Sequence, residues 1–283
     1  MDKYRKFDPK EIKKLFKPEG ESKNGMVTII GGSELFHGAP FFALKTASRI
    51  VDMVFFSSPD PSIGEVANYL KSKLFSFIWV PWDEVGDYIK KSDATLIGSG
   101  LMRFSKEANR SKAENNNYKD NAARFTAEIT KKFITNPEFA NTKWVIDAGS
   151  LQVMDPAWIP HGAILTPNQK EYRHLFGNLD ITEVSRKYDC TVILKGIVDK
   201  VCSDGECVEI LGGNAGLAKG GTGDTLAGLI TALAAKNNNL LAVSCASYIV
   251  KKSGDELFED VRTNYNADDL VEKVPEVLAK LQK

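Results

Sequence analysis

Apolar, β-branched runs alternate with helical segments along most of this chain, and that alternation limits the folds open to it. A short amphipathic helix around Ile12, Leu15 and Phe16 comes first. The predicted strands are residues 26–30, 53–58, 77–80, 94–97, 143–146, 163–165 and 191–194, and the predicted helices are 38–50, 63–74, 85–91, 122–135, 181–188, 226–235, 240–258 and 267–282. Such alternation is typical of parallel β-α-β units. We predict one α/β domain over residues 1–283, with a mostly parallel central sheet flanked by helices on both faces.

The stretch 220–228, Gly-Gly-Thr-Gly-Asp-Thr-Leu-Ala-Gly, combines consecutive glycines with one carboxylate at the start of an apolar helix. Backbone amides at a helix start are unpaired, and together with the helix dipole they favour an anion such as phosphate. A carboxylate beside that anion has a use if it removes a proton, so Asp224 is a candidate general base. The alternative is a helix capped by Thr222 or Asp224 after a tight glycine turn.

Further candidates follow the predicted strands, because ligands of open parallel sheets bind beyond the carboxyl ends of the strands. Glycines end two of these strands, at 31–32 and 98–100. Asp147 follows another strand, where it either holds a substrate hydroxyl or metal-bound water or forms a cap or a turn. Lys195 and Gly196 end a fourth strand, where the lysine either reaches nucleotide phosphates or is an ordinary surface lysine.

Asn168 and Glu171 lie three residues apart after the strand at 163–165. If a helix starts there, the two side chains share a face and can orient water around a magnesium ion. The same spacing also fits an N-cap with a capping box. Both interpretations stay open on the sequence alone.

Charge and composition exclude several classes of protein. Lys and Arg together number 37, as do Asp and Glu, so no global field favours nucleic acid or an anionic membrane. No apolar run approaches the roughly 20 residues of a membrane span, and residues 1–17 lack a signal-peptide core. We therefore expect a cytoplasmic protein. Residues 105–120 are expected to form a solvated loop or lid.

The four cysteines have no CxxC spacing and the three histidines are scattered, which argues against a zinc site. Residues 200–210 predict a β-hairpin that turns at Asp204-Gly205. Cys202 and Cys207 then face each other across the two strands. For a cytoplasmic chain we expect reduced thiols, and packing rather than redox chemistry for this pair.

The order of these motifs resembles the ribokinase-like superfamily. Within it the chain is similar to the ADP- or ATP-dependent NAD(P)H-hydrate dehydratases, the carbohydrate-kinase-like domain of the YjeF family. The similarity extends from about residue 22 to residue 270, and its strongest parts are 31–40, 194–196 and 213–228. The resemblance implies a ribokinase-like fold. It also implies dehydration of hydrated NADH or NADPH, in which a nucleotide phosphorylates the ring hydroxyl and phosphate then leaves.

The resemblance also implies roles for individual residues. Asp224 is then the catalytic base, and the amides from Gly221 to Gly223 form the anion hole. Substrate contacts fall on Ala39, Gly100, Asn168 and Asp224, and nucleotide contacts on Lys195, Gly196, Ile197, Val198, Asp199, Asn214 and Gly223. A divalent ion, Mg²⁺, is expected with the nucleotide, with Asn168 and Glu171 as candidate ligands and most positions filled by phosphate oxygens and water. The family usually forms dimers or tetramers.

Three motifs depart from the usual pattern of the dehydratases. Thr-Pro-His-Pro-Gly-Glu becomes Thr-Pro-Asn-Gln-Lys-Glu at 166–171, Gly-Pro-Gly becomes Gly-Ser-Gly at 98–100, and Asp-Ala-Asp-Ala-Leu becomes Asp-Ala-Gly-Ser-Leu at 147–151. The Asn-x-x-Glu spacing is that of sugar kinases, so a kinase for a sugar or a vitamin-precursor alcohol is an alternative. A nucleotide-binding protein without turnover is another. The sequence leaves ADP or ATP open as the donor.

Overall fold

A ten-stranded sheet organises the structure, a computed structural model that describes residues 4–18, 23–74, 76–105 and 118–283. In the described residues its strands are β1 (Arg5–Lys6), β2 (Met26–Ile30), β3 (Met53–Ser57), β4 (Ile78–Trp79), β5 (Ala94–Ile97), β6 (Trp144–Ile146), β7 (Ile164–Leu165), β8 (Thr191–Leu194), β9 (Asp199–Ser203) and β10 (Glu206–Ile210). Their order across the sheet is β1-β10-β9-β8-β7-β6-β5-β2-β3-β4. The seven neighbouring strands β8, β7, β6, β5, β2, β3 and β4 are parallel. Strands β9 and β10 add an antiparallel hairpin beside β8.

Helices cover both faces of this sheet. They are α1 (Gly38–Ala47), α2 (Pro61–Leu70), α3 (Val85–Lys91), α4 (Tyr118–Ile134), α5 (Ala148–Val153), α6 (Gln169–Phe176), α7 (Ile181–Lys187), α8 (Thr222–Ala234), α9 (Asn239–Val261) and α10 (Ala267–Gln282). Successive strand residues enter opposite cores. Val145 belongs to the core that contains residues of α1, α2, α8, α9 and α10, and Ile146 belongs to the core that contains residues of α3 to α7. The predicted α/β class, with a mostly parallel sheet between two helical layers, is confirmed.

The differences from the predicted elements lie where local periodicity is weak. Strand β1 was not predicted, because a two-residue strand has no period and depends on its pairing with β10. The first predicted helix is a short 3-10 helix, Pro9–Lys14, and α5 was missed. Helix α4 begins at Tyr118, four residues before the prediction. Most of the predicted loop at 105–120 lies outside the described residues.

Helices α1 and α8 pack at backbone distance. A methyl group on Gly228 would lie 2.3 Å from the carbonyl oxygen of Ala43, so only glycine allows this approach. At the start of α8 the corresponding position on Gly221 is 2.6 Å from Cε2 of Phe42. This close packing holds the first turn of α8 against α1, at the carboxyl end of the parallel strands.

The β9–β10 hairpin corrects one expectation about the cysteines. The pair Cys202 and Cys207 face each other as predicted, but they are joined in a disulfide instead of remaining reduced. The physical reason is the register, because the turn at Asp204 and Gly205 places the pair directly opposite with their Cα atoms 4.2 Å apart. The other two cysteines are free and buried.

Among the described helices, none is both long enough and apolar enough to cross a bilayer.

Candidate active site

The first turn of α8 has no side-chain cap. Its N-cap is Gly221, whose positive φ of 91° is a left-handed conformation suited to glycine. The hydroxyl of Thr222 points backward and donates to the carbonyl oxygens of Leu217 and Lys219, at 2.6 and 2.8 Å. The alternative in which Thr222 caps the helix is therefore wrong. The Thr222 amide donates to the Lys219 carbonyl at 3.4 Å, whereas the amides of Gly221 and Gly223 donate to no backbone carbonyl outside the helix in the described residues, so these two can meet an anion.

Asp224 lies in this turn, half-buried. Burial raises the pKa of its carboxyl group to about 7, and the nearby Asp147 carboxylate adds to that increase. The ammonium of Lys195 and the hydroxyl of Ser99 act in the opposite direction without cancelling it. A carboxyl group with this pKa exchanges a proton near neutral pH, which is the property of a general base.

Asp147 is almost completely buried and does not cap the helix that follows it. Its Oδ1 accepts from the Thr166 hydroxyl at 2.5 Å and from Lys195 Nζ at 3.3 Å. Its Oδ2 accepts from the Ser99 hydroxyl at 3.4 Å. Three strand ends therefore converge on one carboxylate. The Asp147 side chain makes no capping hydrogen bond, so the predicted cap is wrong, and its role toward a substrate hydroxyl or metal-bound water stays a prediction.

Lys195 stands between this carboxylate and the start of α8. A methyl group on Gly223 would lie 3.5 Å from Lys195 Nζ, so the ammonium faces the anion-binding turn. Burial lowers the pKa of Lys195, but the carboxylates of Asp147, Glu171 and Asp224 more than offset this, and the net shift is upward. The lysine stays charged, as a phosphate ligand must.

Asn168 and Glu171 form a complete capping box at the start of α6. The Asn168 side chain accepts from the amides of Lys170 and Glu171, and Glu171 Oε2 accepts from the Asn168 amide at 2.9 Å. Gln152 donates to Glu171 Oε1 at 2.8 Å. These oxygens already serve the helix end, so the pair does not fit as a dedicated metal site. Among the described residues, no three His, Cys, Asp or Glu side chains are grouped to hold a metal ion.

A cavity of about 620 Å³ opens beside Lys195 and the start of α8. Six of the seven predicted nucleotide residues line it, namely Lys195, Gly196, Ile197, Asp199, Asn214 and Gly223, and Val198 does not. Asn168 also lines the cavity. Its size suits a nucleotide.

Asn214 shapes this cavity through its own hydrogen bonds. Its Oδ1 accepts from the Gly216 amide at 2.9 Å and from the Tyr265 hydroxyl at 2.8 Å, while Nδ2 donates to the Gly254 carbonyl at 2.8 Å. A methyl group on Gly216 would lie 2.4 Å from the Tyr265 ring. Asn214 therefore fixes the segment that leads into the glycine turn of α8.

The two remaining predicted substrate residues, Gly100 and Ala39, do not line this cavity. Gly100 packs against the loop before α1, where a methyl group would be 2.4 Å from the Phe36 carbonyl oxygen, and its φ is +74°. Its carbonyl accepts from the Ser33 hydroxyl at 2.7 Å. Ala39 is half-buried in the first turn of α1, one turn before the Phe42 ring that contacts Gly221. Both residues therefore lie near the start of α8.

Sequence reasoning missed three side chains of this region. Ser99 and Thr166 were seen as parts of motifs but not as partners of Asp147. Lys251 was not singled out, although it lines the cavity from α9 and is 6% exposed. The sequence signal that could have found Lys251 is its place among the apolar residues of a predicted helix, because a lysine is rarely buried unless it has a partner.

The fold is similar to that of the ribokinase-like class of α/β proteins. The chain superposes on the crystal structure of a ribokinase-like superfamily protein from Enterococcus faecalis V583 with a TM-score of 0.80, 20% identity and coverage of 100% of this chain and 98% of that chain. The ADP/ATP-dependent NAD(P)H-hydrate dehydratase from Bacillus subtilis, co-crystallized with ATP/Mg²⁺, gives a TM-score of 0.75 and 20% identity, with coverage of 99% and 100%. At this identity the likeness concerns the fold.

The family model described as NAD(P)H-hydrate dehydratase matches residues 27–276, so the chain belongs to this family. It is 34% identical over 285 residues to the bifunctional NAD(P)H-hydrate repair enzyme Nnr of Methanocaldococcus jannaschii, covering 97% of this chain and 52% of that protein. The ADP-dependent (S)-NAD(P)H-hydrate dehydratase of Nitrosopumilus maritimus is 24% identical over 305 residues, with coverage of 99% and 96%. The chain spans about half the length of the first curated relatives that it matches.

Proposed function

We propose that this protein converts hydrated NADH or NADPH back to the dihydronicotinamide form, with an adenine nucleotide as phosphoryl donor. Membership of the dehydratase family supports the reaction. The observation that carries the proposal is Asp224, whose pKa is raised to about 7 at the uncapped start of α8. A base, an anion site and a charged lysine then lie around one reacting phosphoryl group.

The proposed chemistry has two stages. First, Asp224 takes the proton of the ring hydroxyl, and the hydroxyl oxygen attacks the terminal phosphorus of the nucleotide. The bond between that phosphorus and the bridging oxygen of the nucleotide breaks. The amides of Gly221 and Gly223 and the ammonium of Lys195 stabilise the charge of the transferring group. In the second stage the ring nitrogen expels phosphate, and loss of a proton from the adjacent ring carbon restores the dihydronicotinamide.

We propose ADP as the donor, because two relatives that match this chain over nearly their whole length are named ADP-dependent, from Nitrosopumilus maritimus and Cenarchaeum symbiosum. We also propose that Mg²⁺ accompanies the nucleotide through phosphate oxygens and water. The capping box at Asn168 and Glu171 supports that assignment, since its oxygens are engaged at the helix end. Protein ligands to the ion are then few.

The predictions of a single domain over 1–283, a cytoplasmic location and a homo-oligomer, dimer or tetramer, complete the proposal. Light scattering of the purified protein measures the oligomeric state directly. A monomer at assay concentration would contradict the predicted homo-oligomer and leave the rest of the proposal unaffected.

The experiment is to mix the purified protein with hydrated NADH, Mg²⁺ and either ADP or ATP, and to follow the return of dihydronicotinamide absorbance. We expect recovery with ADP and none without nucleotide. Asp224→Asn should bind nucleotide but lose turnover by about 10²- to 10⁴-fold, the range for a general base. Asp204→Asn, in the exposed hairpin turn, is the control and should match wild type. Equal activity of wild type and Asp224→Asn would refute the role of this carboxylate.

A small-molecule kinase is the second candidate, favoured by the Asn-x-x-Glu capping box that this chain has in place of the usual dehydratase motif. A kinase would leave a stable phosphorylated alcohol and would not release phosphate. Absence of recovery with either nucleotide, together with nucleotide binding, would favour this candidate.

A further inference from the structure

Lys251 is a buried lysine whose three ammonium protons are all used inside the protein. From α9 its Nζ donates to the carbonyl oxygens of Gly196, Ile197 and Gly212, at 3.2, 3.0 and 3.1 Å. An ammonium group has three donors and no acceptor. Although Lys251 lines the nucleotide cavity, it therefore has no free proton for a phosphate group, in contrast to Lys195.

Asp199 provides the opposite charge. Its Oδ1 lies 3.5 Å from Lys251 Nζ and accepts from the Gly196 amide at 2.8 Å, and its Oδ2 accepts from the Ser247 hydroxyl at 2.8 Å. The side chains of Asp199 and Lys251 are each 7% exposed. A buried ion pair is weak evidence of stability, because desolvation offsets the attraction, and its best-attested use is to specify one arrangement.

The arrangement specified here is the relative position of two turns that line the nucleotide cavity. One turn follows β8 at Gly196 and Ile197, and the other follows β10 at Gly212 and Gly213, with the whole β9–β10 hairpin between them in the chain. Gly212 and Gly213 have positive φ angles, 100° and 81°, and no side chain of their own to hold the turn. The ammonium of Lys251 joins the two turns where the chain does not.

The same contacts orient the backbone of the first turn. A trans peptide directs its C=O and the following N–H to opposite sides. Because the carbonyls of Gly196 and Ile197 face Lys251, the amides of Ile197 and Val198 point away from it, toward the outer side of the turn. Neither of these two amides donates a hydrogen bond to another backbone group within the described part of the chain. Of the two residues only Ile197 lines the cavity, so its amide is the one available to a nucleotide there.

We propose that Lys251, with Asp199 as its partner, is a positioning residue of the nucleotide site. It holds the two turns in the binding conformation before the nucleotide arrives and does not itself bind phosphate. This inference rests on the proposed function only for the identity of the nucleotide. Preorganisation of this kind acts on affinity, since it removes the cost of ordering the turns during binding.

The test compares Lys251→Met with a matched control, Lys143→Met. Lys143 also donates to two backbone carbonyls, those of Ala234 and Asn237 at 2.6 and 3.1 Å, but it does so at the far end of α8. Calorimetry gives the Kd for ADP, thermal unfolding gives the stability, and steady-state rates separate kcat from KM. We expect Lys251→Met to weaken ADP binding about ten-fold or more, equivalent to about 1.4 kcal/mol.

In the same variant the KM for ADP should rise by about the same factor as the Kd, while kcat at saturating ADP stays within about three-fold of wild type. This result is expected because the lost interaction stabilises bound ADP equally in the ground state and the transition state. Lys143→Met should lower the unfolding temperature and leave the Kd for ADP unchanged. Wild-type affinity for ADP in folded Lys251→Met would overturn the proposal. An equal loss of affinity in both variants would also overturn it, because the effect would then be a general loss of stability.

A double variant, Lys251→Met with Asp199→Asn, covers the case in which the single variant fails to fold. It removes the uncompensated buried carboxylate, so we expect stability to recover while ADP affinity stays low. Full recovery of affinity would overturn the proposal, since Lys251 would then act only by neutralising Asp199. Calorimetry needs no turnover. A wild-type protein that binds ADP but does not convert hydrated NADH to NADH would therefore refute the proposed function and leave this inference standing.

Discussion

Replacing Asp224 with Asn should make the protein more stable while it removes turnover. The pKa of this carboxyl rises from 3.8 to about 7 on folding, because burial and the charge of Asp147 disfavour ionisation. At about 1.4 kcal/mol per pKa unit this shift corresponds to roughly 4 kcal/mol. The carboxyl group is half-buried, so solvent screens part of that cost, and we expect about 2 kcal/mol.

The sign of the effect follows from proton binding. The folded protein holds the proton of Asp224 more tightly than the unfolded chain does, so this group lowers the free energy of unfolding as pH rises from about 4 to about 7. Above that range the loss is constant. Asn does not titrate, so the advantage of Asp224→Asn should be absent near pH 4, grow through the same window and reach its full value by about pH 8.

Urea unfolding of wild type and variant at several pH values measures this difference, with Asp204→Asn in the exposed hairpin turn as the control for loss of a surface charge. The control should follow wild type at every pH. If Asp224→Asn is no more stable than wild type near pH 8, or if it is more stable by the same amount at pH 4, the surroundings do not raise the pKa of the Asp224 carboxyl group. The account of Asp224 as a base poised near neutrality would then fail.

Further predictions concern the same site and the packing behind it. In wild type, kcat should fall about ten-fold per pH unit below about pH 7, and Asp147→Asn should move this limb to lower pH, because it removes the like charge that raises the pKa of Asp224. Lys195→Met should weaken nucleotide binding by about ten-fold or more, measured by calorimetry, since the ammonium is charged and faces the anion-binding turn. Gly228→Ala should lower the free energy of unfolding by about 1–3 kcal/mol in urea unfolding, because the added methyl group meets the Ala43 backbone at 2.3 Å.

Each of these has a specific contradicting result. An acid limb that stays in place in Asp147→Asn would show that burial alone sets the pKa of Asp224. Unchanged nucleotide affinity in Lys195→Met would leave the lysine as a structural partner of Asp147. For the packing prediction the control is Gly86→Ala in α3, where the added methyl group would lie 3.5 Å from Cζ of Phe139, an ordinary contact. Equal stabilities of the two glycine variants would contradict the close approach of α1 and α8.

Local sequence predicted the fold class because strand and helix periods are short-range properties. Buried parallel strands are continuous apolar runs, so β2, β5 and β8 were predicted with their observed bounds. The glycine turn with Asp224 was recognisable for the same reason, since all its parts lie within nine residues of chain. The two-residue β1 and the six-residue α5 were missed because segments this short carry almost no periodic signal.

The capping box at Asn168 and Glu171 is an intermediate case. Its spacing indicated both a magnesium site and a helix cap, and the choice depended on whether a helix begins at that point. Helix α6 does begin there, and Gln152 from another helix occupies the remaining carboxylate oxygen. A spacing alone does not report which partners are already engaged.

By itself, the sequence determined the mostly parallel α/β sheet, the glycine turn at the start of α8 and the identity of its carboxylate. Only the tertiary structure brought Asp147, Lys195 and Asp224 together, and burial together with the charge of Asp147 raises the pKa of Asp224. It also decided that Lys251 joins two turns of the nucleotide cavity and that Cys202 bonds to Cys207. The physical reason is range: periodicity and turn chemistry act over a few residues, whereas charge coupling, desolvation and cross-strand register depend on groups far apart in the chain.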